Sequence, residues 1–199
     1  MMENGKIVAW GDESARMRHK PPIYLLCASI FEEGSEEGLR ELAKAKPAGM
    51  RKLHWHDLDV KEKVRSLEAI SRIPHWNMVA ICSPMPIGPR QERARRKCFE
   101  RLLPQLEERG VDLLRLESRW KQEDQADVDM VHALRNRKMI ERIRIEHVRP
   151  DAGEARLWVP DQILGAIGDM FVGAEGTGKW SKYWDEIDPH VTLLMAALL

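Results

Sequence analysis

Short apolar runs, each closed by proline, glycine or charge, are mostly separated by longer stretches in which apolar residues recur every three to four positions. That alternation limits the fold of the 199 residues more than any other feature. The strand-like runs are Lys6 to Gly11, Ile23 to Phe31, Trp76 to Cys82, Val111 to Glu117 and Ile143 to Val148. Helical spacing fills the gaps. Asp57 to Ser71 repeats Val60, Val64, Leu67 and Ile70, and Pro89 to Gly110 places Phe99, Leu102, Leu103 and Leu106 on one stripe before stopping at a glycine. Further helices are expected over Glu32 to Ala45, over Ala126 to Met139 with Val128, Val131 and Leu134 inward, and from near Pro160 onward. Two adjacent strands that can pair as a hairpin, followed by alternating helix and strand, predict an α/β fold with a mixed sheet flanked by helices on both faces. No repeat or linker interrupts the pattern, so residues 1–199 read as a single domain; Pro84 to Pro89 is the strongest loop signal.

Bulk properties exclude more than they identify. With 43% hydrophobic and 32% charged residues the chain falls in the ordinary globular class, and its 32 basic residues balance 32 acidic ones. A net charge of +0 supplies no overall attraction to nucleic acid, so any such affinity must come from local patches. Cys27 and Cys82 sit in apolar runs and the cysteine count is odd, which suits reduced, buried thiols rather than a disulfide framework. Met1 to Gly5 has no basic region leading into an apolar stretch, and Val191 to Leu199 is far shorter than the ~20 residues of a membrane span. A cytoplasmic location away from membranes is the expectation. The apolar tail, Leu193 to Leu199, can complete the core or bury against a second subunit, so both monomer and homodimer are open.

Carboxylates recur where elements end. Asp12 and Glu13 close the first apolar run, Glu117 closes the fourth, and Asp161 stands at the expected start of the penultimate helix. Adjacent like charges at a strand end are costly unless an ion or solvent relieves them. Strand alternation aims Glu13 away from Asp12. Asp161, Gly165 and Asp169 are spaced i, i+4, i+8 on one helical face, where the glycine permits close approach of another element. Two plainer readings stand beside these. Asp161 after Pro160 can serve the positive end of its helix, and Glu117 can pair with Arg115 or Arg119.

The Asp12-Glu13-Ser14 strand, the Leu116-Glu117-Ser118-Arg119 strand end and the Pro160-Asp161-Gln162-Ile163-Leu164-Gly165-Ala166 segment together resemble a widespread family of uncharacterised bacterial and phage proteins in the ribonuclease H-like superfamily. The resemblance covers nearly the whole chain. It implies a ribonuclease H-like mixed sheet in which acids on the first strand, a later strand and a C-terminal helix converge on magnesium or manganese for phosphodiester hydrolysis, with room for two ions. Carried over residue by residue, Asp12, Glu117 and Asp161 become the metal ligands. Hard oxygen donors suit those ions, and a pair of them can stabilise both the attacking and the leaving oxygen of a phosphoryl transfer.

Other residues compete for attention. His54 and His56 share a face if Leu53 to Asp57 is extended; a zinc site would then need a third ligand that the sequence does not supply nearby. His56 can instead line the carboxylate site as a proton shuttle or phosphate contact, with Asp57 capping the next helix. Arginines crowd two stretches, Arg90 to Arg101 and Arg135 to Arg149. Arg93, Arg96 and Arg119 are the candidate contacts to RNA or DNA, against the alternative of a solvated face whose arginines meet acidic neighbours. Trp10, Trp76 and Trp158 read as core, whereas Trp180 and Trp184 read as free for stacking or a partner. The expected function is a metal-dependent nuclease using Asp12, Glu117 and Asp161, with Glu13 and His56 in support. A non-catalytic nucleic-acid or protein-binding module from a phage or mobile element is the alternative.

Overall fold

A computed structural model of the chain describes residues 2–3, 5–85, 91–149, 153–174 and 176–196. Its centre is β3 (Ile23–Phe31), in which every residue is buried, as the unbroken apolar run demands of a strand covered on both faces. β2 (Lys6–Arg16) and β4 (His75–Cys82) flank it antiparallel, and β5 (Val111–Glu117) and β6 (Arg144–Val148) extend the sheet in parallel beyond β2. With β7 (Val191–Ala196) parallel to β4, the order is β6-β5-β2-β3-β4-β7. The two-residue β1 (Met2–Glu3) pairs with the start of β2. The α/β class and the mixed sheet are therefore those the alternation predicts.

Helices cover both faces. α1 (Ser35–Ala45), α2 (Val60–Ser71), α5 (Ala155–Val172) and α6 (Thr177–Ile187) pack over one core that includes Val8, Trp10, Cys27 and Ile163. α3 (Gln91–Glu108) and α4 (Lys121–Asn136) pack over the other, with Ala9, Leu26, Phe99 and Leu114. The α3 stripe of Phe99, Leu102, Leu103 and Leu106 is fully buried, as its spacing requires. All three cysteines are free and buried. No described helix is long and apolar enough to cross a membrane.

Several expected boundaries move. β2 does not end at Gly11 but runs on to Arg16, because residues 12–16 keep pairing with β3 although all of them but Ala15 are polar. α5 begins at Ala155, where the Glu154 side chain accepts from the Arg156 N–H, so Pro160 lies inside the helix and Asp161 is not at its start. The chain at 54–57 is a short 3-10 turn (Trp55–Asp57), not a strand, and the cap of α2 is Asp59 in a capping box with Glu62 rather than Asp57. Trp180 and Trp184 are buried, 1% and 7% exposed, since with Ile187 they form the inward stripe of α6; the exposed tryptophan is Trp120. In β7, Leu194 and Ala196 are buried while Leu193 and Met195 are exposed. Most of the expected Pro84–Pro89 loop lies outside the described residues.

α5 is buried on all sides over most of its length, and Gly165 shows how tightly. A Cβ there would lie 2.0 Å from Cγ of Trp55, which is itself buried. The close approach expected of the glycine is made to this indole ring. Gly165→Ala is therefore expected to destabilise the protein by about 3 kcal/mol, the upper end of the usual cost of overpacking. Gly178→Ala, at a helical site with nothing within 4 Å, should be neutral or stabilising by up to about 1 kcal/mol. Urea unfolding of the two variants checks the contrast.

Candidate functional site

Unequal pairing of β2 with its two neighbours creates the site. Pairing with β5 stops at Gly11 opposite Leu116, whereas pairing with β3 continues to Arg16 opposite Ile23. Asp12 is thus the first residue of β2 beyond β5, at a gap opening between two parallel strands, a place where α/β sheets bind ligands. Glu117 is the next residue of β5 and still pairs with Val148 of β6. Alternation sets Asp12 on the face of Val8 and Trp10, over which α5 crosses with Asp161. Gly11, Asp12, Lys52, His54, Leu116 and Glu117 line the resulting cleft, and Glu13, Arg95, Ser118 and Arg119 complete it from the other face. Its volume of about 160 Å³ suits an ion with a few waters and falls short of a small-molecule pocket.

The three acids named from the sequence are brought into electrostatic contact. Burial raises the Asp12 carboxyl well above its ordinary value; Asp161 raises it further, Lys52 opposes, Glu117 adds to the rise and His54 opposes. Asp12 keeps one local hydrogen bond, accepting from the Glu13 N–H at 2.8 Å. Asp161, 8% exposed, bonds His54 Nδ1 at 2.8 Å and accepts from the Trp55 N–H at 2.7 Å and from Gln162 Nε2 at 3.1 Å. This acid ties the 54–55 turn to α5 and has no part in a helix N-terminus, which corrects the plainer reading of it. Glu117 pairs with Lys52, not with Arg115 or Arg119. Arg115 instead meets Glu3 and Glu146.

His54 rather than His56 is the histidine bonded into the cluster. Its hydrogen bond to Asp161 raises its pKa from 6.5, against the opposing effect of burial. His56 lines an adjoining cleft with Arg16, Asp161 and Gly165, its ring 5.7 Å from that of His54. Lys52 arrives on a chain segment whose sequence does not advertise it, and His54, expected as one of a zinc-binding pair with His56, meets Asp161 instead, a spacing with no local signature.

Glu13 faces the opposite way, as alternation predicts, into a buried ionic network. It meets the Tyr24 hydroxyl and Arg95, with Arg119 Nε 3.8 Å away. Arg95, 2% exposed, grips Asp127 through Nε at 2.8 Å and a terminal nitrogen at 2.7 Å, and His147 Nε2 lies 2.9 Å from the same carboxylate. Burial works to raise the Asp127 pKa, but the hydrogen bonds of Arg95 and His147 and the charges of Arg95 and Arg119 outweigh it and hold it at about 2. Asp127 is not among the residues that the sequence singles out and Arg95 enters only as one of the Arg90 to Arg101 stretch, yet each stands on an apolar stripe, Arg95 with Phe99 and Leu102, Asp127 with Val131 and Leu134. A charge at such a position is the readable signal. Arg119 is drawn into this network by Glu92 at 3.0 Å and by Glu123 and Asp127 at 3.4 Å, whereas Arg93 and Arg96 are exposed on α3.

No family model matches the chain and none of the curated proteins does. The residues themselves therefore carry the functional argument. Hard oxygen donors suit a magnesium or manganese ion, which would relieve the burial and carboxylate repulsion that raise Asp12. Among the described residues no three His, Cys, Asp or Glu side chains stand in a ligating arrangement, and Glu117 is held by the Lys52 ammonium. The donor set fits the ion in chemistry; its side chains would have to turn to hold it.

Two stability measurements follow from the opposite shifts. A carboxyl raised by folding favours the folded state when protonated, and that advantage is lost as pH rises through its folded pKa. In chelator, Asp12→Asn should therefore melt higher than the parent at pH 7, and the difference should close as pH falls below the ordinary value of 3.8. Asp127 has the opposite sign, its contribution present above 3.8 and lost as pH falls toward about 2. Asp127→Asn is expected to cost about 3 kcal/mol at pH 7, because Arg95 stays buried beside a neutral partner, and to cost less as the pH is lowered through that window.

Proposed function

We propose that the chain is a divalent-metal-dependent phosphodiester hydrolase, a nuclease of the ribonuclease H-like superfamily, acting at the cleft between β2 and β5. The observation that carries this reading is that three acids far apart in sequence act on one another: Asp12 and Glu117 line the cleft, Asp161 lines the one adjoining it, and the charges of Asp161 and Glu117 both raise Asp12 beyond the effect of its burial. The topology supports it. β2, β3 and β4 form an antiparallel meander, β5 and β6 add in parallel beyond β2, and α5 returns across the first strand. The three acids stand on β2, β5 and α5, two strands and a late helix, which supports the reading.

Asp12, Asp161 and Glu117 would hold the magnesium or manganese, and a bound ion supplies an acidified water and neutralises charge on the phosphoryl oxygens. His54, half-exposed at the cleft and oriented by Asp161, is placed to hold a proton for the leaving oxygen, since its raised pKa keeps more of it protonated near neutral pH. His56 and Arg16 line the adjoining cleft, where a neighbouring phosphate of an RNA or DNA strand would pass. Arg93 and Arg96 lie exposed on α3 as further backbone contacts.

One observation favours a second reading, a non-catalytic nucleic-acid-binding module on the same fold: the Lys52–Glu117 ion pair ties up a ligand of the cluster. Labelled RNA and DNA incubated with Mg²⁺ or Mn²⁺ separate the two. Hydrolysis is expected, with Asp12→Asn lowering it at least 100-fold without loss of thermal stability. Absence of cleavage on every nucleic acid tried, together with no melting-temperature rise on adding either ion, overturns the enzyme reading. Salt-sensitive binding that survives Asp12→Asn but not the loss of Arg93 and Arg96 supports the module.

A further inference from the structure

Lys52 is absent from every expectation raised by the sequence, yet it enters the carboxylate cleft. Its ammonium pairs with Glu117 and interacts electrostatically with Asp12 and Asp161 as well. The side chain is half-buried, 22% exposed, beside a Glu117 that is 21% exposed. Its position is fixed from behind. Leu53 is buried in the core with its carbonyl accepting from Gln162 Nε2, and the next two residues are bonded to Asp161 through His54 Nδ1 and the Trp55 N–H. A lysine on a free loop could withdraw into water. This one is delivered by a segment clamped across α5.

Charge then limits what else the cleft can take. Three ionised carboxylates and one ammonium leave a local charge of two negative units when His54 is neutral, and one divalent cation cancels it. A second would leave an equal positive excess in a half-buried site, a costly state without further ligands. The other nearby acid, Glu13, is spent on the far face against Arg95, with Arg119 and the Tyr24 hydroxyl around it. Glu117, engaged by Lys52, has less to offer a metal than Asp12 or Asp161.

We propose that the Lys52 ammonium serves as a built-in second cation of the cleft, so that the chain binds a single divalent ion, held chiefly by Asp12 and Asp161. The inference rests on the metal-site reading above and deepens it. Lys52 acts on any reaction by positioning Glu117 and balancing charge, not by taking part in bond breaking.

Manganese serves as the probe, because its binding can be counted by calorimetry and two neighbouring Mn²⁺ ions give an exchange-coupled electron paramagnetic resonance spectrum. The wild-type chain should bind one Mn²⁺ with an uncoupled spectrum. Lys52→Gln, which frees Glu117 and removes the positive charge, should bind two, and Lys52→Arg, which keeps the charge, should bind one. Thermal melting guards against misfolding: Mn²⁺ should raise the melting temperature of Lys52→Gln more than that of the parent. Two coupled ions in the wild type, or a single ion in Lys52→Gln bound no more tightly than in the parent, overturns the role of Lys52 while leaving the metal site intact. No Mn²⁺ bound by any of the three proteins overturns the metal-site reading itself, and the inference with it.

Discussion

Everything at the cleft depends on where β2 parts from β5. The two strands stay paired as far as Gly11 opposite Leu116, and a Cβ at Gly11 would lie 2.8 Å from both the Cys27 carbonyl oxygen and Cδ2 of Leu116. Only glycine lets β3 and β5 close in on β2 at that point. One residue later β2 has β3 on one side and nothing from β5 on the other. Main-chain bonding to β3 holds Asp12 rigidly while its β5 side is left open. A carboxylate there is positioned by a sheet but not enclosed by one, the condition a site needs if it is to be both ordered and reachable.

The two faces of the sheet treat adjacent acids in opposite ways. Asp12 is buried and shares its surroundings with two other carboxylates, so its ionised form is disfavoured although Lys52 opposes the effect. Glu13 and Asp127, on the far side, are answered by Arg95 and Arg119, and Asp127 is driven to about 2. A buried ion pair of this kind adds little net stability over an apolar pair of the same volume, but losing one partner is severe. Its effect is to lock α3, α4 and the outer end of β2 in one relative position, because Arg95, Asp127 and Glu13 come from those three elements. A whole-chain charge of +0 conceals this segregation of compensated and uncompensated acids.

What the sequence conveys well is whatever depends on burial along one element. β3 is legible because both of its faces are covered, and α3 because its stripe meets one core. The far half of β2 is not, since Asp12 to Arg16 owe their strand conformation to pairing with β3, and pairing between distant segments leaves no local pattern. Pro160 invites a helix start that the Glu154 cap places five residues earlier at Ala155. The stripe of Trp180, Trp184 and Ile187 is present in the spacing, but Gly173, Gly176 and Gly178 before it obscure the helix, and the two tryptophans read as free. The three carboxylates are legible as acids that close apolar runs or follow a proline, although only Glu117 proves to end its element. Lys52 is not legible, and His54 is legible only as one of a histidine pair, because their places follow from a 3-10 turn docked on α5 rather than from a strand.

That docking explains why a helix so largely buried keeps Asp161, Gln162 and Asp169. Asp161 holds His54 and the Trp55 N–H, Gln162 holds the Leu53 carbonyl and the Ser66 hydroxyl, and Asp169 accepts from Trp55 Nε1 and Lys63, both at 2.9 Å. Each satisfies a group of the 53–66 segment, the 3-10 turn and the first half of α2, that would otherwise lack this partner. Replacing them with apolar residues would leave those groups orphaned, so their retention needs no catalytic argument. Yet the same bonds fix Lys52 and His54 relative to Asp12 during folding, before any ligand arrives. Dipoles and charges held in place by the fold stabilise a developing charge more effectively than groups that must reorganise to meet it. For Asp161 the structural and chemical roles are therefore inseparable. The carboxylate that secures the turn also sets the charge of the cleft.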